Sequence, residues 1–386
     1  MAFKIGDWFY MRGDRSSFQP TLPKDAGLLF CHRDITEQAI RINVEKSFAK
    51  NKPIKMLIHG DWGVGKTHSL HNLEWWLREQ ETEYPTKTVR IEIGDITKKS
   101  HFDRIVSPLL DVMGLDYLVA LVNEFRTIET NINDALMAIG AGANVAKALA
   151  MFQMAVPNQA PTQQVVLAFE YLKGIDLGAK GPSVGLMSPI KESADFYNVL
   201  KAVGHIYFRV HSHRIVFIAD EAARLEMVDH DEAVQAHWVN AHKLIFDPDS
   251  TDFGFIYTIS GRRNQLPPAL WEPQVQNRIG ENNVVELQSL EKHSVEEFLS
   301  SLFQEFIDMD RVKAAVAGGE ILEEDFDEER YPFTSAAWAE FLDFFDRNQE
   351  DAKPRDITDR LDDVAFMAAK AGDRVINESA LRKANM

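Results

Sequence analysis

The chain has 386 residues, of which 45% are apolar and 26% are charged, proportions typical of a folded globular protein. Its formal net charge of −17 argues against a generally basic surface that coats DNA or acidic membranes, although a local basic groove is compatible with it. A single cysteine, Cys31, excludes an intrachain disulfide, and the charged first residues lack the apolar core of a signal peptide. The most apolar region, residues 135–156, is interrupted by polar residues and is too short to span a bilayer. We therefore expect a cytoplasmic protein without a membrane segment.

The first 80 residues predict a helix, a strand and a second helix after an amino-terminal arm. Residues 1–33 contain early aromatics and a Pro-rich piece, which indicate either an irregular arm packed on the surface or on a neighbour, or an ordered lead-in. Residues 34–50 have apolar side chains near helical spacing, with Asp34 as the N-cap. The run 55–59 predicts the first strand, and 67–79 predicts a helix with one apolar face.

Later runs have the length and β-branched composition of further strands. The clearest is Arg214–Asp220, which is nearly continuous in apolar side chains, as a buried parallel strand should be. Residues 115–212 show mainly helical patterns and predict a helical insertion. Strands that alternate with helices predict a doubly wound α/β domain with a parallel five-stranded sheet. The remaining elements predicted for this domain are strands at 88–93, 253–259 and 284–287 and a helix at 97–114, despite Pro108.

From residue 294 onward the patterns are helical only, so we expect an all-α domain after the sheet. Helices are predicted at 294–309, 334–347 and 354–371, each with an apolar face. Between the first two, residues 320–330 include seven acids among eleven residues, which favours a solvated loop over a binding site for a basic partner.

A glycine-rich segment joins the first strand to the helix that follows it. Its spacing, Gly60-x-x-x-x-Gly65-Lys66-Thr67, is that of a phosphate-binding P-loop. The glycines let backbone N–H groups surround a β-phosphate, and the following helix points its positive end at the phosphates. Lys66 would neutralise the β- and γ-phosphate oxygens, and Thr67 would offer its hydroxyl to Mg²⁺. The sequence therefore predicts ATP and Mg²⁺ as cofactors, in contact with Gly60, Asp61, Trp62, Gly63, Val64, Gly65, Lys66, Thr67 and His68.

Two acids end the buried strand at 214–220. At the carboxyl end of a parallel strand Asp220 would face the P-loop and hold Mg²⁺ through water, whereas Glu221 would polarise an attacking water. This pair predicts hydrolysis of the triphosphate. A small-molecule kinase is the disfavoured alternative, because transfer to a metabolite gains nothing from a water-activating acid.

Together these motifs resemble those of AAA+ ATPases. The P-loop, the strand ending in Asp220-Glu221, a strand ending FIYTISG, a later QNRIG and the tail segment KPRDITDRLDDV occur in that order, and the resemblance covers most of residues 34–386. It is closest to the origin-recognition and STAND-like branch. The strings GDWGVGKTHSL and YLKG are similar to those of ATP-binding proteins from BREX-type bacterial phage-defence systems.

The resemblance implies further site residues. The family's sensor 1, a polar residue near the end of the fourth strand, would be Ser260 or, less favoured, Thr258. The Pro-Arg pair in the tail looks like sensor 2, which makes Arg355 a lid contact to the nucleotide. Donors at these places stabilise the charge that builds on the γ-phosphoryl oxygens in a loose transition state.

The resemblance also implies an arginine that reaches the γ-phosphate bound by a neighbouring subunit. Arg278 lies at the corresponding place, and Arg262 and Arg263 are alternatives. We therefore expect a homo-oligomer, either a ring or a filament, that couples ATP hydrolysis to the remodelling or recruitment of a partner. A nucleotide-locked STAND-like switch with very slow turnover is the alternative.

Two features depart from the family. The segment before Asp220-Glu221 is long, so the helical insertion at about 115–212 is the expected site of partner recognition, with the lid as a second choice. No winged-helix domain follows the tail, so DNA binding by that route is not expected. We predict an arm at 1–33, an AAA+ nucleotide-binding domain at 34–290 and an all-α lid at 291–386.

Overall fold

Five parallel strands form the centre of the fold. The computed structural model describes residues 4–20, 25, 27, 34–92, 103–155, 159–220, 243–246, 250–266 and 268–386. The strands are β1 (Lys55–Gly60), β2 (Thr86–Glu92), β3 (Arg214–Asp220), β4 (Phe253–Ser260) and β5 (Val284–Leu287). Their order in the sheet is β2-β3-β4-β1-β5, and every adjacent pair is parallel. The predicted doubly wound five-stranded sheet is therefore confirmed.

Helices connect β1 to β2, β2 to β3 and β4 to β5, and they form most of the last hundred residues. Those before β3 are α1 (Ile5–Trp8), α2 (Asp34–Ala49), α3 (Lys66–Glu79), α4 (Asp103–Met113), α5 (Leu115–Ile128), α6 (Ile132–Ala138), α7 (Ala143–Ala150), α8 (Gln163–Leu172), α9 (Lys180–Ser183) and α10 (Ser193–His211). Those after β4 are α11 (Pro273–Ile279), α12 (Lys292–Phe306), α13 (Met309–Ala317), α14 (Ser335–Arg347), α15 (Pro354–Ala371) and α16 (Glu378–Lys383).

The register of the sheet brings polar strand ends to one edge. β3 lies between β2 and β4, and all seven of its residues are buried, which explains its continuous apolar sequence. Gly60 at the end of β1 pairs with Ser260 at the end of β4, and Asp220 at the end of β3 pairs with Glu92 on β2. Because the strands are parallel, Gly60, Asp220 and Ser260 all lie at the carboxyl edge.

The chain folds as two compact units, of which the second, Ala39–Gly60 with Trp76–Glu286, contains most of the sheet. Its helical insertion, α5 to α10, shares one hydrophobic core with the strands. Helix α10 approaches β4 so closely that a Cβ atom added at Gly204 would lie 2.7 Å from Cβ of Phe253. The ring of Tyr197 packs edge-on against Phe253, with 5.9 Å between centroids. The predicted helical insertion is thus confirmed as part of the α/β unit.

The other unit, Met1–Gln38 with Asp61–Trp75 and Leu287–Met386, has a helical core of its own. The described part of the amino-terminal segment belongs to that core, since Phe9, Met11 and Phe18 are almost completely buried. Met11 forms an antiparallel bridge with Ile307. The indole N–H of Trp8 donates to the carbonyl of Asp373 at 2.7 Å. Of the two predicted alternatives, the described residues agree with an ordered lead-in rather than an arm on the surface, because their aromatic side chains bury apolar area in the helical core.

Most predicted elements recur within a few residues, although residues 97–102 of the helix predicted at 97–114 lie outside the described residues. Helices α13 and α16 were not predicted, because they are too short to give a clear periodic signal. The acidic run 320–330 contains one helical turn, Glu323–Asp325, and is otherwise loop. Among the described residues no single helix has the length and apolar composition to cross a membrane, and one bent pair, α4 with α5, meets the length and composition test.

Candidate functional site

The loop between β1 and α3 has the backbone of a phosphate-binding P-loop. Gly60, Gly63 and Gly65 have φ angles of 153°, 83° and 97°, a region that residues with a Cβ atom rarely adopt. A Cβ atom added at Gly65 would meet nothing within 4 Å, so the loop leaves open space at that point. Helix α3 begins at Lys66, directly after the loop. The first backbone N–H groups of α3 have no partner within the helix and form a site where an anion can bind.

The predicted phosphate lysine is held against its own loop. Lys66 is only 7% exposed, and its Nζ donates to the carbonyl oxygen of Asp61 at 2.8 Å. The hydroxyl of Ser69 donates to the carbonyl of Gly65 at 3.1 Å, which fixes the first turn of α3. Because water is largely excluded from this ammonium group, its positive charge acts on the loop with little screening by solvent.

The start of α15 contacts the P-loop in the same compact unit. The backbone N–H of Arg355 donates to the carbonyl oxygen of Gly63 at 3.4 Å. The guanidinium of Arg355 lies 5.6 Å from the ring centroid of Trp62, a cation–π distance, and the Trp62 side chain is 55% exposed. A Cβ atom added at Gly63 would lie 3.4 Å from Cβ of Arg355. The structure therefore brings the predicted sensor 2 arginine to the predicted phosphate loop, although Arg355 lies 355 − 63 = 292 positions after Gly63.

In the α/β unit, a hydroxyl and a carboxylate predicted for the site form a pair. Asp220 is 1% exposed, and its Oδ1 accepts a hydrogen bond of 2.5 Å from the hydroxyl of Thr258, which is completely buried. The hydroxyl of Ser260 is shielded from solvent and has no hydrogen-bond partner in the described residues. Thr258 therefore orients Asp220, whereas the hydroxyl of Ser260 donates to no other group in the described residues. The sequence analysis considered Thr258 only as a second choice for sensor 1.

The candidate trans arginines lie around α11. Arg278 is in the last turn of α11, half-buried, and its Nη1 donates to the carbonyl of Gln274 at 2.9 Å. Arg262 and Arg263 are both exposed, and the Arg263 guanidinium lies 4.7 Å from the ring centroid of Trp271. Stacking on Trp271 restrains Arg263, whereas the guanidinium of Arg278 contacts only its own helix in the described structure.

Comparisons with known proteins support the fold. No protein-family model and no curated protein matches the chain. Among solved structures, the ORC2 protein of Aeropyrum pernix in its ADP form has a TM-score of 0.50 and 14% identity, over 97% of this chain and 72% of that one. Cdc6p from Pyrobaculum aerophilum has a TM-score of 0.49 and 13% identity, over 97% and 71%. The chain has the AAA+ P-loop fold.

Within the AAA+ fold, two groups of predicted site residues lie together in the described structure. The first is the P-loop with Arg355, and the second is Asp220 with Thr258. Glu221, the predicted water-activating acid, lies outside the described residues. The described ranges contain no group of three or more His, Cys, Asp or Glu side chains arranged as a metal site. Each of the two predicted Mg²⁺ ligands, the Thr67 hydroxyl and the Asp220 carboxylate, is an oxygen donor of the type that a hard cation prefers.

Proposed function

We propose that this protein is an AAA+ ATPase that binds ATP with Mg²⁺, hydrolyses it and works as a homo-oligomer, in the cytoplasm. One observation supports this most directly. Gly63 and Gly65 adopt positive φ angles while the buried Lys66 ammonium lies 2.8 Å from its own loop at the start of α3. Such an arrangement stabilises several negative charges at one point, which a triphosphate supplies.

The nucleotide contacts follow from the loop. Backbone N–H groups from Asp61 to Thr67 would donate to the β-phosphate, and Lys66 would move from the Asp61 carbonyl to the β- and γ-phosphate oxygens. Arg355, exposed beside Trp62, can swing its guanidinium toward the γ-phosphate without breaking a buried contact. The structure of Aeropyrum pernix ORC2 contains ADP, which supports a nucleotide as ligand for the same fold. Mg²⁺, when bound, would offset charge on the β- and γ-phosphates, with the Thr67 hydroxyl and Asp220 as its protein donors.

Hydrolysis would use residues at the carboxyl edge of the sheet. Thr258 fixes one oxygen of the buried Asp220 carboxylate, so the carboxylate has a defined direction. Ser260, with its uncommitted hydroxyl, would orient the attacking water as sensor 1. Glu221 would accept the proton of that water. Stabilisation of the γ-phosphoryl charge by Lys66 and these donors lowers the barrier.

Assembly would complete the site in trans. Arg278 would reach the γ-phosphate bound by a neighbouring copy, with Arg262 or Arg263 as alternatives. Partner recognition is assigned to the insertion at 115–212 or to the helical lid. A phage-defence or DNA-linked complex is the proposed setting, which rests on the resemblance of GDWGVGKTHSL and YLKG to BREX-type ATP-binding proteins. A slow nucleotide-locked switch differs from this proposal only in its turnover rate.

The test is nucleotide binding and turnover by four proteins. Lys66→Ala should bind a fluorescent ATP analogue at least about tenfold more weakly than wild type, because a buried charge-assisted contact is lost. Lys180→Ala removes an exposed lysine of α9 and serves as the matched control, with unchanged affinity expected. Glu221→Gln should bind ATP normally and release no phosphate. Equal ATP affinity of Lys66→Ala and Lys180→Ala would overturn the proposed function.

The trans arginine has its own test. Arg278→Ala and Glu221→Gln subunits should each be inactive alone, and mixing them should restore part of the activity, because some sites then combine an intact Glu221 with an intact neighbouring Arg278. Mixtures that stay inactive at every ratio contradict an arginine supplied in trans.

A further inference from the structure

Four lysines surround one cavity at the amino edge of the sheet, in the α/β unit. The cavity has a volume of about 260 Å³. Its charged lining residues are Lys46, Lys50, Lys52, Lys55 and one acid, Glu281, so four positive charges and one negative charge give a local charge of +3. The chain as a whole has a formal net charge of −17, so this local charge is opposite in sign to that of the protein.

Three of these ammonium groups are available to a ligand. Lys46, Lys50 and Lys52 are exposed and form no ion pair within the described residues. Lys55 differs, since it is half-buried and its Nζ donates to the carbonyl oxygens of Phe246 and Arg278. Lys55 therefore holds the wall of the cavity, and the other three supply charge that protein groups do not neutralise.

The walls of the cavity are fixed by partly buried hydrogen bonds. Arg214 at the start of β3 is 6% exposed, and its guanidinium donates to the carbonyl of Lys52 and to Oδ1 of Asn51, both at 2.8 Å. The amide of Asn43 donates to the carbonyl of Asn282 at 2.8 Å, which ties α2 to the turn before β5. Preorganised walls reduce the entropy lost when a ligand binds.

Helix electrostatics explain only part of the cluster. The carboxyl-terminal carbonyls of α2 attract cations, and this accounts for Lys46 in its last turn. Lys52 lies beyond the end of the helix at Ala49, so the dipole does not account for it, whereas Lys55 is accounted for by its two carbonyl acceptors. The position of Lys52 beside the cavity requires a different explanation.

We propose that this cavity binds phosphate groups. Lysine ammonium groups are compact point charges that pair with phosphate oxygens without a required geometry. The lining contains no aromatic side chain, so the site would recognise phosphate rather than a stacked base. It is separate from the P-loop, because Lys55 and Gly60 are at opposite ends of β1, about 16 Å apart at the rise of a strand. The source of the phosphate is either a free anion such as pyrophosphate or the backbone of a single-stranded nucleic acid.

Two variants with equal charge change test the site. The cavity variant is Lys46→Gln, Lys50→Gln and Lys52→Gln; the control is Lys180→Gln, Lys370→Gln and Lys383→Gln, which removes three exposed lysines outside the cavity. Both are made in the Lys66→Ala chain to remove the proposed P-loop contribution, so failure of the proposed ATPase would not change the comparison. Circular dichroism and the Tm check that both variants fold.

Calorimetry with inorganic pyrophosphate and fluorescence anisotropy with a labelled 20-nucleotide single-stranded DNA distinguish the two sources. We expect binding of at least one probe by the control, and at least tenfold weaker binding by the cavity variant. If the DNA is the ligand, the slope of log affinity against log salt should fall by about 2, since each lost phosphate contact removes about 0.7. Equal affinities of the two variants, or no binding of either probe, would overturn the proposal.

Discussion

Arg355 offers the sharpest test of how the start of α15 serves the P-loop. Its guanidinium stacks on the exposed Trp62, and a cation–π contact at an exposed site contributes about 0.5–1 kcal/mol. Replacement by alanine should therefore lower the Tm by no more than about 2 °C in a chain of this length. If the guanidinium also contacts the γ-phosphate, the lost charged hydrogen bonds are worth about 1.5–3 kcal/mol, or about ten- to a hundredfold in ATP affinity.

The same helix provides the control. Arg360, also on α15, lies 5.4 Å from the ring centroid of Phe344, so Arg360→Ala removes a cation–π contact of similar length and the same charge. The two variants should have similar Tm values, measured by calorimetry without nucleotide. Titration with a fluorescent ATP analogue should then show weaker binding for Arg355→Ala only, while the ADP affinities stay closer. Equal ATP affinities of the two variants would refute the assignment of Arg355 to the γ-phosphate.

Two further predictions concern stability. Burial raises the pKa of Asp362 to about 6 from its ordinary 3.8, so its stabilising contribution is complete below pH 3.8 and is lost as the pH rises through 6. Asp362→Asn should therefore stabilise the protein at pH 7.5 by about 1–2 kcal/mol after allowance for partial exposure, and by less at pH 5, as measured in thermal melts at the two pH values; equal stabilisation at both would contradict the assignment. Gly204→Ala should lower the free energy of unfolding by about 1–2 kcal/mol in urea melts, because the 2.7 Å contact of the added Cβ atom with Phe253 outweighs the better helix propensity of alanine. A stabilised variant would contradict this and would mean that α10 can move away from β4.

Local sequence patterns were sufficient to predict the central strand of the sheet and the P-loop. Arg214–Asp220 occurs as predicted because a strand buried on both faces needs a continuous apolar run. The P-loop occurs as predicted because its glycines and Lys66 encode the loop backbone and the start of α3 within a few positions. Asp220 and Ser260 reach the same edge because parallel strands end together.

Contacts between distant parts of the chain were harder to predict. Nothing near Trp62 in sequence indicates that Arg355 stacks on it, although the resemblance to AAA+ proteins led to Arg355 as a nucleotide contact. The pairing of Thr258 with Asp220 depends on the register between β3 and β4, which the sequence does not specify residue by residue. The basic cavity forms only where α2, β1 and the turn before β5 meet in the folded chain. Its lysines therefore cannot be distinguished in the sequence from ordinary surface lysines.

The burial of the amino-terminal segment in the helical unit affects how the protein can be made. Trp8 donates to the carbonyl of a residue 365 positions later, and Arg374 stacks on Trp8 at 4.1 Å. At about 5–20 residues per second, a ribosome needs roughly 20–70 s to produce that partner after Trp8 itself. During this interval the α/β unit can complete its sheet, while the core that encloses Phe9 and Phe18 gains members such as Phe303 and Phe333 only as the chain lengthens. The helical unit therefore closes only after Asp373 has been made, so residues 365 positions apart must meet before its core is complete.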